Sequence, residues 1–258
     1  MGFMFKYFLG VRLDDLTRHM ASKKVISFLD ENFQYKIYTP NPEMLVKAHS
    51  DKDFKEILNK ADLNICDGKG ISICSLGTIQ SIQGVDFMLD ICKLIEKRNE
   101  KVFLLGSGDL KVVKRTALNL IKVFPNLTIS DFHEGPQVSE KEDGNLEVEE
   151  VVNSLVLERI NRSQADVLFV AFGHGKQEKW IDRYLKDLPN IKIAMGVGGA
   201  FNFISGEVER APEIMRSFGL EWLWRLKKDP KRWKRIYNAV IVFPYLYITQ
   251  FNDNYDKN

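Results

Sequence analysis

The chain has 258 residues, with 37 Lys and Arg against 35 Asp and Glu, a formal net charge of +2. Apolar types make up 45% and charged types 28%, the composition of a globular protein long enough for one large domain or two small ones. The charge balance excludes a chain that is basic throughout and coats nucleic acid, and the aromatic content excludes intrinsic disorder.

The apolar start, Met1 to Val11, is broken by Lys6 and followed by Arg12, Asp14 and Asp15 with no small-residue cleavage site, so no signal peptide is read. No run of about 18 apolar residues occurs, which argues against a membrane-spanning helix. YKIYT (35–39) reads as a strand, residues from about 42 to 60 as a helix, and LNIC (63–66) as a second strand. Residues 85–99 place Phe87, Ile91, Leu94 and Ile95 at helical spacing, and VFLLG (102–106) is a short apolar run ending in Gly, as a buried strand does. A helix over 110–122 and a strand over Leu127 to Ser130 follow. The acidic interval 134–150 reads as a solvated loop leading into a helix over 146–161. DVLFVAFG (166–173), a helix over 176–187 and IKIAMGVGG (191–199) complete the alternation. Apolar strands alternating with helices imply an α/β fold, a parallel sheet with helices on both faces.

Cys66, Cys74 and Cys92 are few, odd in number and without a CxxC spacing, so a reducing compartment is expected. Neither they nor His19, His49, His133 and His174 have structural-zinc spacing, and the cysteines read as small buried residues. No metal site is expected.

In parallel sheets ligands bind beyond the carboxyl ends of the strands, so the residues after each strand carry the functional information. Thr39, the last residue of the first strand, and Asn41 just beyond it are either polar groups of a site or the cap of the next helix. Asp67 follows the second beside Gly68 and Gly70; a carboxylate there suits a general base and equally suits an acceptor for the turn. Gly106 and Gly108 open a helix whose N–H groups could bind phosphate, but Lys111 stands where the dinucleotide fingerprint needs its third glycine. The same test fails at Gly196 and Gly198, where that position is Phe201, which disfavours a standard NAD site. Lys176 and Gln177 begin the helix after DVLFVAFG, a cation for a phosphate and an amide for a sugar or phosphate, while His174 reads as a turn residue. Gly198 and Gly199 allow close backbone approach to a nucleotide, and Asn202 suits a ribose hydroxyl.

The composition changes near residue 220. Residues 225–235 carry Arg225, Lys227, Lys228, Lys231, Arg232, Lys234 and Arg235 against Asp229 alone. The uncharged stretch 236–251, interrupted by Pro244, follows, with Trp222, Trp224 and Trp233 nearby. Basic residues beside an aromatic apolar stretch suit an anionic membrane surface; the competing reading is a core or oligomer-interface helix, and self-association is a further expectation. No nucleic-acid fold signature accompanies the basic run, and no nucleic-acid partner is expected.

DGKG (67–70), FLLGSGD (103–109), FGHGKQEKW (172–180), GVGGAFNFISGEVERAPEIMRSFGLEWLWRL (196–226) and DPKRW (229–233) resemble, in that order, the WecG/TagA/CpsF family of bacterial glycosyltransferases. TPNPEMLVKA (39–48) is similar to the family's N-terminal motif, and the resemblance runs from about residue 9 to about 235. It implies a Rossmann-like catalytic domain over 1–220 and a C-terminal appendage over 221–258. It also implies an inverting, metal-independent hexosyltransferase without cofactor. Such an enzyme moves an N-acetylmannosamine-type sugar from a UDP-sugar to a polyprenyl-diphosphate-linked acceptor for a cell-surface polysaccharide, working peripherally on the cytoplasmic face of the membrane. By the same resemblance Asp67 matches the candidate base, Thr39 and Gln177 match pocket residues, and the glycine turn at 196–199 matches part of the nucleotide site. Arg225 and Arg232 are the basic residues expected to reach the UDP or the lipid diphosphate.

Three residues depart from the pattern. Ser81 stands where the family has an arginine three residues before the Gly of its GxD motif, here Gly84-Val85-Asp86; Gly175 stands for proline and Asn202 for aspartate. The Ser81 departure leaves a non-catalytic, membrane-associated nucleotide-sugar-binding protein as the alternative. A nucleotide-sugar epimerase or dehydrogenase is disfavoured by the failed dinucleotide fingerprint.

Overall fold

A computed structural model describes residues 4–255, so the outermost ends of the two regions expected above, 1–3 and 256–258, lie outside the described residues. The chain begins with an antiparallel hairpin, β1 (Phe5–Phe8) and β2 (Val11–Asp14). Its turn needs two residues with positive φ, Leu9 at 50° and Gly10 at 80°; Leu9 adopts that conformation with its side chain buried in the core. Thr17 then caps α1 (Arg18–Asp30) by accepting from the Met20 N–H.

The expected alternation follows: β3 (Tyr35–Tyr38), α2 (Pro42–Ser50), α3 (Lys52–Asn59), β4 (Leu63–Asn64), α4 (Lys69–Cys74), α5 (Gly84–Ile95), β5 (Lys101–Gly106), α6 (Leu110–Val123) and β6 (Thr128–His133). A second hairpin, β7 (Val138–Glu140) and β8 (Leu146–Val148), precedes α7 (Glu150–Ser163), β9 (Val167–Ala171), α8 (Lys176–Tyr184), β10 (Ile193–Gly196) and α9 (Ala200–Ile204). Four helices close the chain: α10 (Glu213–Ser217), α11 (Glu221–Lys228), α12 (Trp233–Tyr237) and α13 (Phe243–Tyr255).

Six strands form one sheet in the order β4-β3-β10-β9-β5-β6, every neighbouring pair parallel. β9 is buried at all five positions, as a strand covered on both faces must be. The strand period of two divides the core: Phe103, Leu105, Leu168 and Val170 join one apolar cluster, and Val102, Leu104, Val167 and Phe169 join the other. The β4 edge is covered by the first hairpin, where the Asp14 carboxylate accepts from the Asn64 N–H at 2.8 Å.

Two expected elements change. The helix over about 42–60 is two helices, because Asp51 turns its side chain to the Phe54 N–H and caps α3. The solvated loop at 134–150 and the start of the 146–161 helix are the β7–β8 hairpin: Leu146 and Val148 face inward and Glu147 outward. Lys47 of α2 and Lys179 of α8 both pair with Glu140 and tie the hairpin to the body.

At the carboxyl end, Pro244 does not break the apolar stretch. A π-helical turn over Asn238–Val242 runs straight into α13, the Phe243 N–H reaching back to the Asn238 carbonyl, and this local widening lets the helix continue through a proline that donates no bond of its own. No helix among the described residues is long and apolar enough to cross a membrane. Phe243 is 0% exposed within the core, and Tyr247 stacks on Phe8 with ring centroids 5.5 Å apart. Replacing Phe243 by Ala is therefore expected to destabilise the protein by about 3–5 kcal/mol, read as a lowered denaturant midpoint. An unchanged midpoint would mean that α13 does not pack on the body.

Candidate active site

The carboxyl ends of β3, β4, β5, β9 and β10 open into one cleft of about 730 Å³, the size of a small-molecule site. Thr39, Asn41, Asp67, Ser107, Gln177, Gly198, Gly199 and Asn202 line it from the sheet side. Trp224, Arg225, Lys228, Asp229, Arg232 and Arg235 form the facing wall. One wall thus comes from strand-end turns and the other from the basic C-terminal helices.

Asp67 leaves β4 where its backbone N–H bonds to the Pro40 carbonyl at 2.9 Å. The N–H of Gly84, the first residue of α5, donates to its carboxylate. Only glycine fits at 84 without moving Thr39, since a Cβ there would lie 3.0 Å from the threonine Oγ1. Burial by the cleft walls pushes the Asp67 carboxyl up to about 6; Arg225 and Arg210 oppose the shift and Glu221 adds to it. Near neutral pH it is a carboxylate of raised basicity facing the cleft, able to accept a proton.

Asn41 is the helix cap and stands in the cleft wall as well. Its Oδ1 accepts from the Met44 N–H at 3.0 Å, capping α2, and the residue also lines the cleft. Gln177 is buried, with its Oε1 accepting from the Gly198 N–H at 2.9 Å, so the helix start after β9 supports the glycine turn after β10.

The structure does not bring every expected residue to the cleft. Gly106 and Gly108 are outside its lining, and only Ser107 between them reaches it. A Cβ on Gly106 would lie 2.8 Å from the Ala171 carbonyl group, so this glycine serves the close packing of β5 on β9. The Ser107 and Gly108 N–H groups bond to the carbonyls of Ala171 and Glu134, and Asp109 caps α6 through the Lys111 N–H; these donors are not free for a phosphate. Lys176 also points elsewhere, its ammonium donating to the Val138 carbonyl at 3.1 Å, where it fixes the second hairpin.

The cationic wall is balanced by acids. Arg225 pairs with Glu221 and lies over the Phe203 ring, 5.1 Å from its centroid; Arg232 pairs with Asp229, and Lys228 with Glu209. Arg235 bonds to Glu43 at 2.8 Å and approaches His174 Nδ1 at 3.0 Å. A guanidinium only donates, so Nδ1 accepts and the ring is neutral with its proton on Nε2, toward Glu43. Burial, with help from Arg235, lowers the His174 pKa to about 4, in keeping with that tautomer. At the start of α5, where Ser81 provides no charge, the Arg210 guanidinium bonds to Asp86 at 2.6 Å and to Gln83 at 2.9 Å. Gln83 in turn donates to Glu221.

Gln83 carries no periodic or motif signal in the sequence; Glu43 and Arg210 lie within the motifs at 39–48 and 196–226 without being singled out there, and His174 reads only as a turn residue. Arg235 is visible only as one of seven basic residues. All three cysteines are free thiols, and no cluster of three His, Cys, Asp or Glu side chains that could hold a metal ion occurs among the described residues.

The sequence pattern of the Glycosyl transferase WecG/TagA/CpsF family matches residues 6–257. An N-acetylglucosaminyldiphosphoundecaprenol N-acetyl-beta-D-mannosaminyltransferase of Bacillus subtilis (strain 168) is 30% identical over 213 residues, 81% of this chain and 77% of that protein. The enzyme of the same description from Bacillus spizizenii (strain ATCC 23059 / NRRL B-14472 / W23) is 30% identical over 233 residues, 89% of this chain and 83% of its own. That of Staphylococcus aureus (strain MW2) is 29% identical over 234 residues, 88% of this chain and 85% of its own.

Proposed function

As the chain belongs to the WecG/TagA/CpsF family of glycosyl transferases, we propose that it transfers an N-acetylmannosamine-type sugar from a UDP-sugar to a polyprenyl-diphosphate-linked sugar, with inversion, in the synthesis of a bacterial cell-surface polysaccharide. The observation that carries this reading is the single cleft in which Asp67 faces a wall of four cations, Arg225, Lys228, Arg232 and Arg235.

In this mechanism the acceptor hydroxyl oxygen attacks the anomeric carbon from the side opposite the UDP. Asp67 takes the hydroxyl proton as the new glycosidic bond forms, and the bond from the anomeric carbon to the β-phosphate oxygen breaks. Charge developing on the leaving diphosphate is met by Arg225 and Arg232, so the reading calls on no cofactor and no metal. The turn at Gly198 and Gly199 holds the nucleotide, with Thr39, Asn41, Gln177 and Asn202 bonding to donor hydroxyl or phosphate oxygens.

The enzyme works as a peripheral protein on the cytoplasmic face of the membrane, with residues 221–258 as its appendage. Supporting this, Trp233, Tyr237, Ile241, Tyr245 and Ile248 recur every three or four residues and are each more than half exposed. The opposite side of the same helices packs inward through Phe243. An exposed aromatic stripe beside Lys227, Lys231 and Lys234 suits a surface that is apolar below anionic headgroups.

The test is a panel of UDP-sugars offered with a synthetic prenyl-diphosphate-linked GlcNAc acceptor, the product identified by mass spectrometry. UDP-N-acetylmannosamine is expected to give one added residue with β configuration. Absence of transfer from every donor, with nucleotide binding retained, would favour the non-catalytic reading.

A further inference from the structure

Glu178 is 0% exposed, lies at the third position of α8 and forms no ion pair among the described residues. Its Oε2 accepts from the Gly175 N–H at 2.6 Å, and its Oε1 accepts from Gln177 Nε2 at 2.8 Å. Gln177 Oε1 then accepts from the Gly198 N–H at 2.9 Å. The result is a chain of three hydrogen bonds from one glycine turn to the next, Gly175–Glu178–Gln177–Gly198.

Both ends of this chain are backbone N–H groups, which only donate. Gln177 has one accepting and one donating end, so it passes the polarity along without reversing it. One member must accept on both sides, and among these groups only an ionised carboxylate does so. We propose that Glu178, as a carboxylate, is the positioning residue that fixes the Gln177 amide orientation and through it holds the Gly198 turn in place. This rests on the reading of that turn as part of the donor site. Glutamine at 178 cannot substitute: whichever way its amide turns, one link becomes N–H against N–H.

The helix amino end, where the Glu178 side chain reaches back to the Gly175 N–H, favours the charge. Burial opposes it and raises the carboxyl to about 7. The charged and titratable groups facing it are Lys47 of α2, itself bound to Glu140 of β7, and Tyr38 of β3, whose hydroxyl donates to the Glu178 carbonyl oxygen. The folded pKa is above the ordinary carboxylate value, so the carboxylate form is present above pH 7 and is lost as pH falls through that value. Protonation then has the same consequence as the glutamine.

The experiment is hydrogen exchange of the full chain, followed by mass spectrometry of the segment 196–203 and corrected for intrinsic exchange, with UDP-N-acetylglucosamine affinity measured in parallel. This probe has no phosphate titration near neutrality. In the wild type, protection of the segment is expected to fall about tenfold between pH 8 and pH 6, the size of one lost hydrogen bond. Glu178→Gln is expected to show the reduced protection at both pH values. The exchanged pair Gln177→Glu with Glu178→Gln restores the acceptor order and is expected to regain protection at pH 8. Equal protection in wild type and Glu178→Gln, or no recovery in the exchanged pair, overturns the relay. A relay verified by exchange whose loss leaves UDP-N-acetylglucosamine affinity unchanged instead removes the Gly198 turn from the donor site.

Discussion

Asp67→Asn is expected to lower transfer turnover by about 10²-fold or more while UDP-sugar affinity stays within a few-fold of the wild type. The amide keeps the shape of the side chain and an oxygen to accept the Gly84 N–H, so the floor of the cleft is preserved. What it lacks is a site for the acceptor's proton. The pH profile provides a second signature. Burial raises the carboxyl to about 6, and only the deprotonated form can take the proton. Turnover in the wild type should therefore rise with pH through about 6 and level off above it, and the asparagine variant should lose that limb. Measured under single-turnover conditions, a variant with near-normal rate and an unchanged limb would remove Asp67 from the chemistry.

How much of this site is legible in the sequence depends on the kind of signal each residue carries. Buried parallel strands announce themselves as apolar runs, so their pattern alone puts the turns containing Thr39, Asp67, Gln177 and Gly198 at strand ends. The hairpin β1–β2 has no such signal, because the turn that makes it uses Leu9 where the usual marker is Asn or Asp before Gly. The hairpin β7–β8 reads as a solvated loop because only Leu146 and Val148 mark its period among many acids, and its anchors, Lys47 and Lys179, are distant in sequence.

Side-chain direction is the other missing information. Lys176 and Gln177 are adjacent and both suit a phosphate or sugar, yet the helix turns one to Val138 and the other to Gly198. Gly106 and Gly198 likewise look alike in sequence, one packed against Ala171 and the other beside open space. The family resemblance is legible because its motifs are long, but it does not contain the pairing of Arg235 with Glu43 and His174, which depends on how the C-terminal helices lie on α2.

Replacing Arg225 and Arg232 together by Ala is expected to reduce transfer to a membrane-embedded prenyl-diphosphate acceptor by about 10²- to 10³-fold, from one lost charge-assisted contact each. Removing residues 225–258 is a poorer test of the same idea. That truncation also deletes Phe243 and Tyr247, which pack on the body, so loss of activity would follow from loss of fold. The point substitutions avoid this. Arg225 pairs with Glu221 and Arg232 with Asp229 at partly exposed positions, where such pairs contribute little to stability. The four cations of the wall are each paired with an acid, and a diphosphate would compete with those carboxylates for them. Raising salt should therefore weaken transfer in the wild type more than in the double variant. Transfer measured in liposomes at two ionic strengths decides the matter. A double variant with wild-type rate and wild-type salt dependence would assign the diphosphate to other groups and leave the basic wall a membrane contact alone.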